Sequence, residues 1–130
     1  MGFINKLFGS NTELKEEKVL PWIPLNEIEQ LNHIEKKSNI KTQVVFKHST
    51  RCGISRMVMN QFESSYNLNE KDLDLYYLDL LSFRNISDEV GYKFQVMHQS
   101  PQILIIKNGV VVAHASHGAI SDVDLTPFVN

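Results

Sequence analysis

The chain has 130 residues, of which 42% are hydrophobic and 22% charged, enough for one domain with one core. Its net charge of -2 and the lack of any basic stripe exclude nucleic acid and anionic membrane as natural partners. A single cysteine can form neither an internal disulfide nor a thiolate zinc site, and it suits a reducing, cytoplasmic compartment.

Residues 1–18 read as a flexible leader and 19–130 as the folded domain. The opening Met1-Gly-Phe-Ile-Asn-Lys-Leu-Phe-Gly9 is interrupted by Asn5 and Lys6, too early for a signal-peptide core. Lys6 also stands where a myristoylation signal needs Ser or Thr, and no run approaches transmembrane length.

Val19 to Leu25, with Pro21 and Pro24 around Trp22, is expected to be extended at a sheet edge. Asn26 then starts a helix, with Glu29 as its capping-box partner and Leu25, Ile28, Leu31 and Ile34 on one face. Thr42 to His48 (TQVVFKH) has the β-branched and aromatic content of a buried strand.

Directly after it, Ser49-Thr50-Arg51-Cys52 enters a second helix, whose apolar stripe is Ile54, Met57, Val58, Gln61, Phe62 and Ser65. Asp72 to Leu80 predicts a third strand. A helix over about Asn85 to Phe94 follows, with Ser87 as its cap. Gln102 to Lys107 and Val110 to His114 flank Asn108-Gly109, a strong hairpin signal. A short helix from about Ser121 to Phe128 closes the chain. The fold class is therefore α/β, a central mixed β-sheet flanked by helices in the order βαβαβαββα.

That order resembles the thioredoxin fold. Cys52 follows a core strand and opens a helix, where unpaired N–H groups and the helix dipole favour an anion. The thiolate is the attacking species in disulfide exchange. Arg51 and Arg56 stand by as cationic support. Cys52-Gly53-Ile54-Ser55 fits a Cys-x-x-Cys frame with serine in the second place, so a mixed disulfide must be cleared by an outside thiol. Ser55 is either a donor toward the thiolate or an ordinary helix-start serine. The resemblance to the thioredoxin fold also implies a cis-proline before the fourth strand, facing the cysteine. Ser100-Pro101-Gln102 occupies that place.

A longer set of residues resembles one family. Val44-Val-Phe-Lys-His-Ser-Thr-Arg-Cys-Gly-Ile-Ser55, Tyr77-Leu-Asp79, Arg84, Ile86-Ser87, His98-Gln-Ser-Pro-Gln102, Lys107-Asn-Gly109 and Ala115-Ser-His117 are similar to the monothiol bacilliredoxins. The resemblance covers about residues 20 to 129. It implies that Cys52 removes bacillithiol from S-bacillithiolated client proteins or reduces low-molecular-weight mixed disulfides. Bacillithiol is then a co-substrate, with no bound cofactor.

Other chemistries are weighed against this one. His48, His98, His114 and His117 read as satisfied or solvent-facing polar residues rather than a metal site. Met57 and Met59 read as packing, and Asp79 as a strand-end cap before a proton acceptor. Cys-Gly-Ile-Ser also resembles the Cys-Gly-Phe-Ser of monothiol glutaredoxins, which carry iron–sulfur clusters. His114-Ala-Ser-His-Gly-Ala-Ile120 stands where their Gly-Gly plus acidic motif would be, which disfavours that reading. A binding module without turnover is the third alternative.

Overall fold

The computed structural model describes residues 19–129, and the expected leader 1–18 lies outside the described residues. The elements are β1 (Trp22–Pro24), α1 (Gln30–Lys37), β2 (Thr42–His48), α2 (Gly53–Ser65), β3 (Leu73–Asp79), α3 (Arg84–Phe94), β4 (Gln102–Lys107) and β5 (Val110–Ser116). Two 3₁₀ turns, His117–Asp122 and Thr126–Phe128, follow.

The sheet order is β1-β3-β2-β4-β5. β3 runs parallel to both β1 and β2, whereas β4 is antiparallel to β2 and β5. β2 therefore lies at the centre with both faces covered, and all seven of its residues are buried. Its side chains alternate between two cores. Val44 and Phe46 meet Val58 and Phe62 of α2, with Ile103 and Ile105 of β4. Val45 lies on the opposite face with Leu31 and Ile34 of α1, Ile86 and Val90 of α3, and Leu104.

The Asn-Gly hairpin forms as expected. Asn108 (φ 54°) and Gly109 (φ 82°) are both left-handed, as a two-residue turn between twisted strands requires. The turn is tied to the end of α1. Asn108 N–H donates to the Ser38 carbonyl at 2.8 Å, and Gly109 N–H donates to Ser38 Oγ at 2.8 Å. Ser38 Oγ itself donates to the Glu35 carbonyl at 2.6 Å.

Four local expectations are corrected. The first helix starts at Gln30 rather than Asn26. Gln30 Oε1 accepts the Asn26 and Glu27 N–H groups, so the preceding turn is held by a glutamine and Glu29 makes no side-chain cap. Ile28 falls in that turn and is 40% exposed, off the Leu31/Ile34 stripe.

On α2 the buried face is Ser55, Val58 and Phe62. Ile54 and Met57 sit about 100° round the helix and are exposed, so Met57 is not a packing residue; Met59 is. Ser87 lies inside α3 and is buried rather than capping it. The closing helix is replaced by the two 3₁₀ turns. Pro127 cannot donate an N–H, and Asp124 Oδ1 takes the Thr126 N–H, so no continuous α-helix forms there.

Candidate functional site

Cys52 is the N-cap of α2, half-buried, with extended backbone (φ -103°, ψ 121°). Its N–H donates to the Ser49 carbonyl at 3.2 Å, and its own carbonyl accepts the Arg56 N–H at 3.0 Å. Among the described residues no side chain caps this helix; the first-turn amides of Gly53, Ile54 and Ser55 have no intrahelical partner, and the dipole's positive end lies at the thiol. A Cβ on Gly53 would meet nothing within 4 Å, so close packing does not require glycine there. Arg51 is exposed. Arg56 reaches back to the Thr50 carbonyl at 3.1 Å and braces the turn that carries the cysteine.

Ser55 is fully buried. Its hydroxyl accepts the Ser49 N–H at 3.1 Å and lies 2.8 Å from His48 Nδ1. Burial holds the His48 imidazole below its usual range, only partly offset by Asp79. This contact joins the two side chains whichever of the pair carries the shared proton. Of the two roles weighed for Ser55, the contacts are those of a brace: it locks the 49–55 turn to the end of β2.

The second segment comes from the other side of the sheet. Lys47 pairs with Gln102 across β2 and β4, which carries Pro101 to the level of His48 at the same end of the sheet as Cys52. The Ser100–Pro101 bond is cis. The Pro101 carbonyl accepts the His117 N–H at 3.0 Å. Ser100 Oγ and Gln102 Oε1 are buried without a hydrogen-bond partner among the described residues, an uncommon state for two polar atoms flanking one proline.

Lys47 escaped the sequence reading as a separate functional residue. It is completely buried, and its ammonium donates to the Ser87 carbonyl and to His98 Nδ1, both at 3.3 Å. Burial lowers it to about 8 from its ordinary 10.5, with Asp88 opposing. The signal was present in TQVVFKH: a lysine in a central strand with covered faces has no route to water.

The other singled-out groups are dispersed. Asp79 accepts the Leu81 N–H and the Ser82 hydroxyl, so it caps the strand end as expected. His114 is exposed on β5, and His117 opens a 3₁₀ turn in the left-handed region (φ 55°). Among the described residues no three His, Cys, Asp or Glu gather where a metal ion could be held. No described helix is long and apolar enough to cross a membrane.

A mixed sheet with a cysteine N-cap after its central strand and a cis-proline before β4 defines a thioredoxin-fold thiol protein. The comparisons agree. Residues 23–125 match the family model described as monothiol bacilliredoxin BrxC, and the chain belongs to that family. It is also similar to a solved protein described as a candidate oxidoreductase with a thioredoxin fold. The two share 36% identity over 77% of this chain and 86% of the other, with a TM-score of 0.66.

Thioredoxin from Malassezia sympodialis (Mala s 13) shares the fold at 19% identity, covering 85% of this chain and 90% of its own, with a TM-score of 0.62. Thioredoxin O2 from Arabidopsis thaliana does so at 19% identity, over 83% and 88%, with a TM-score of 0.58.

Proposed function

We propose that this protein is a monothiol thiol–disulfide oxidoreductase that removes bacillithiol from S-bacillithiolated proteins through Cys52. The observation that carries the reading is the placement of the chain's only cysteine at the bare N-terminus of α2. The turn around it is braced by Ser55 and His48, and Pro101 lies at the same sheet end. Membership of the monothiol bacilliredoxin family supports bacillithiol as the small thiol.

The Cys52 thiolate attacks the bacillithiol sulfur of the mixed disulfide. The client's sulfur leaves with the electron pair of the broken S–S bond and takes up a proton. A Cys52–bacillithiol disulfide remains. A second bacillithiol, as thiolate, attacks that disulfide at the bacillithiol sulfur, releases the Cys52 thiolate and leaves as bacillithiol disulfide. With serine at position 55, no internal thiol competes for this second step. The cis Ser100–Pro101 bond, at the level of His48 on the neighbouring strand, borders the place where the incoming disulfide would lie. Exposed Ile54 and Met57, one turn from the sulfur, give a client an apolar surface to rest on.

Intact-mass measurement after incubation with oxidised bacillithiol, with glutathione disulfide in parallel, tests the reading. A gain of one bacillithiol on Cys52, and little or none with glutathione, is expected. No adduct with either disulfide would remove the exchange activity, and an equal gain with both would remove the specificity.

A further inference from the structure

β2 ends in two consecutive polar residues, Lys47 and His48, both buried in a strand covered on both faces. Consecutive strand residues point to opposite faces. His48 therefore engages the segment of Cys52 through Ser55, while Lys47 engages the segment on the other side. Lys47 Nζ donates to His98 Nδ1, and its cross-strand neighbour Gln102 donates from Nε2 to the Met97 carbonyl at 3.1 Å. One cross-strand pair thus grips two successive residues of the segment that leads into Ser100 and Pro101. A second ammonium hydrogen bond, to the Ser87 carbonyl, anchors the grip on the first turns of α3.

An apolar residue would fill this space more cheaply than a buried ammonium, and the neighbouring core is built of Val45, Leu78, Ile86 and Leu104. We propose that Lys47 is a positioning residue for disulfide exchange, holding the Met97–Pro101 segment in register with Cys52 while touching neither sulfur nor client. The proposal rests on the exchange reading above, because the segment it positions matters only if a disulfide is aligned there.

The grip depends on an unprotonated His98. Lysine has only donors, so His98 Nδ1 must accept. Partial desolvation of the ring where it meets the protein and the Lys47 charge both hold the otherwise exposed His98 below its usual range, against Asp88, while Arg84 adds to the lowering. Those groups on α3, with Lys47 on β2, are the charges that His98 meets. Protonating His98 would put a hydrogen on Nδ1 and set two cations against each other.

The test compares two reactions of the same thiolate in the full chain. One is alkylation by iodoacetamide, which needs only Cys52. The other is exchange with a peptide carrying bacillithiol in a mixed disulfide, which needs alignment. Their ratio cancels the thiolate fraction.

In Lys47→Met the ratio should fall on the order of tenfold to a hundredfold, the scale expected of a slightly misplaced reacting group, with alkylation within about twofold of wild type. His98→Ala, an exposed position, should fall in the same direction, and it carries the test if Lys47→Met does not fold. The wild-type ratio should also drop on acidification, and the variants' ratios should stay flat. Unchanged ratios in the folded variants, or the same pH dependence in all three proteins, would overturn the positioning role alone. A wild type that exchanges with no mixed disulfide would overturn the proposed function, and this inference with it.

Discussion

Replacing Lys47 with Met should make the protein more stable at neutral pH, although the side chain makes two hydrogen bonds. The lysine is completely enclosed, and burial takes it from 10.5 to about 8. That displacement corresponds to roughly 3 kcal/mol against the charged form at pH 7. Methionine has nearly the same length and no charge to desolvate. The substitution forfeits the bonds to the Ser87 carbonyl and His98 Nδ1, each worth about 1 kcal/mol net. His98 is exposed and can turn to water. The balance is a gain of about 1 kcal/mol.

The sign of the pH dependence follows from linkage. A lysine lowered in the folded state contributes stability that is present above its unfolded value of 10.5 and lost as pH falls through about 8. Wild type should therefore gain on the variant between about pH 8 and 10.5 and overtake it at the alkaline end, where the neutral amine keeps its bonds. Urea denaturation of both proteins at about pH 7, 9 and 10.5 measures this directly. A variant less stable than wild type at pH 7, or a difference that does not change with pH, would refute the reasoning. Together with slower exchange, the expected result would make Lys47 a residue retained for alignment at the expense of stability.

Ser55→Cys should form an internal disulfide with Cys52, so that bound bacillithiol is released without an outside thiol; persistence of the mixed disulfide in mass spectra would contradict this. The same change removes the hydroxyl that serves His48 Nδ1 and the Ser49 N–H, and the reduced variant should lose about 1–3 kcal/mol in a denaturation assay. Cys52→Ser should abolish exchange while its denaturation midpoint moves by no more than about 0.5 kcal/mol, since the position is half-buried and its side chain caps nothing. His48 and His98 are both held below their usual range. The unfolded chain therefore binds protons first, and stability should fall as pH drops below about 6.5 through their folded values; equal urea midpoints at about pH 7.5 and 5 would count against it.

The reaction end of the sheet was readable where local chemistry decides the outcome. The β-branched strand Thr42–His48, the helix directly after Cys52, and the Asn108-Gly109 turn all lie where residue type and spacing place them. Pro101 could be assigned because the resemblance to the thioredoxin fold implies a cis-proline before the fourth strand, and Pro101 precedes the apolar strand in that place. What stayed hidden depends on tertiary partners. Helical spacing alone did not say whether Ile54 and Met57 or Ser55 faces inward, because a buried serine is acceptable only once His48 is known to meet it. Ser87 reads as a cap from local sequence, but α3 begins three residues earlier at Arg84 and buries it. The closing segment failed for a local reason, a proline whose effect outweighed the helical pattern around it.

The sheet end remote from the thiol behaves as a seam. Ser38 closes α1 and, through its carbonyl and hydroxyl, binds both amides of the Asn108-Gly109 turn. One residue of the first βαβ unit thus stitches it to a hairpin that the chain makes much later. A turn of this kind ordinarily exchanges its amide hydrogens quickly, being exposed and short. Here both amides point into protein, so the tip of the hairpin can open only when α1 lets go. The two ends of the β2–β4 pair therefore differ in kind. One is fastened by the carbonyl and hydroxyl of a single serine, neither of which titrates. The other is held by the ionisable side chains of Lys47 and His48, whose grip pH can loosen.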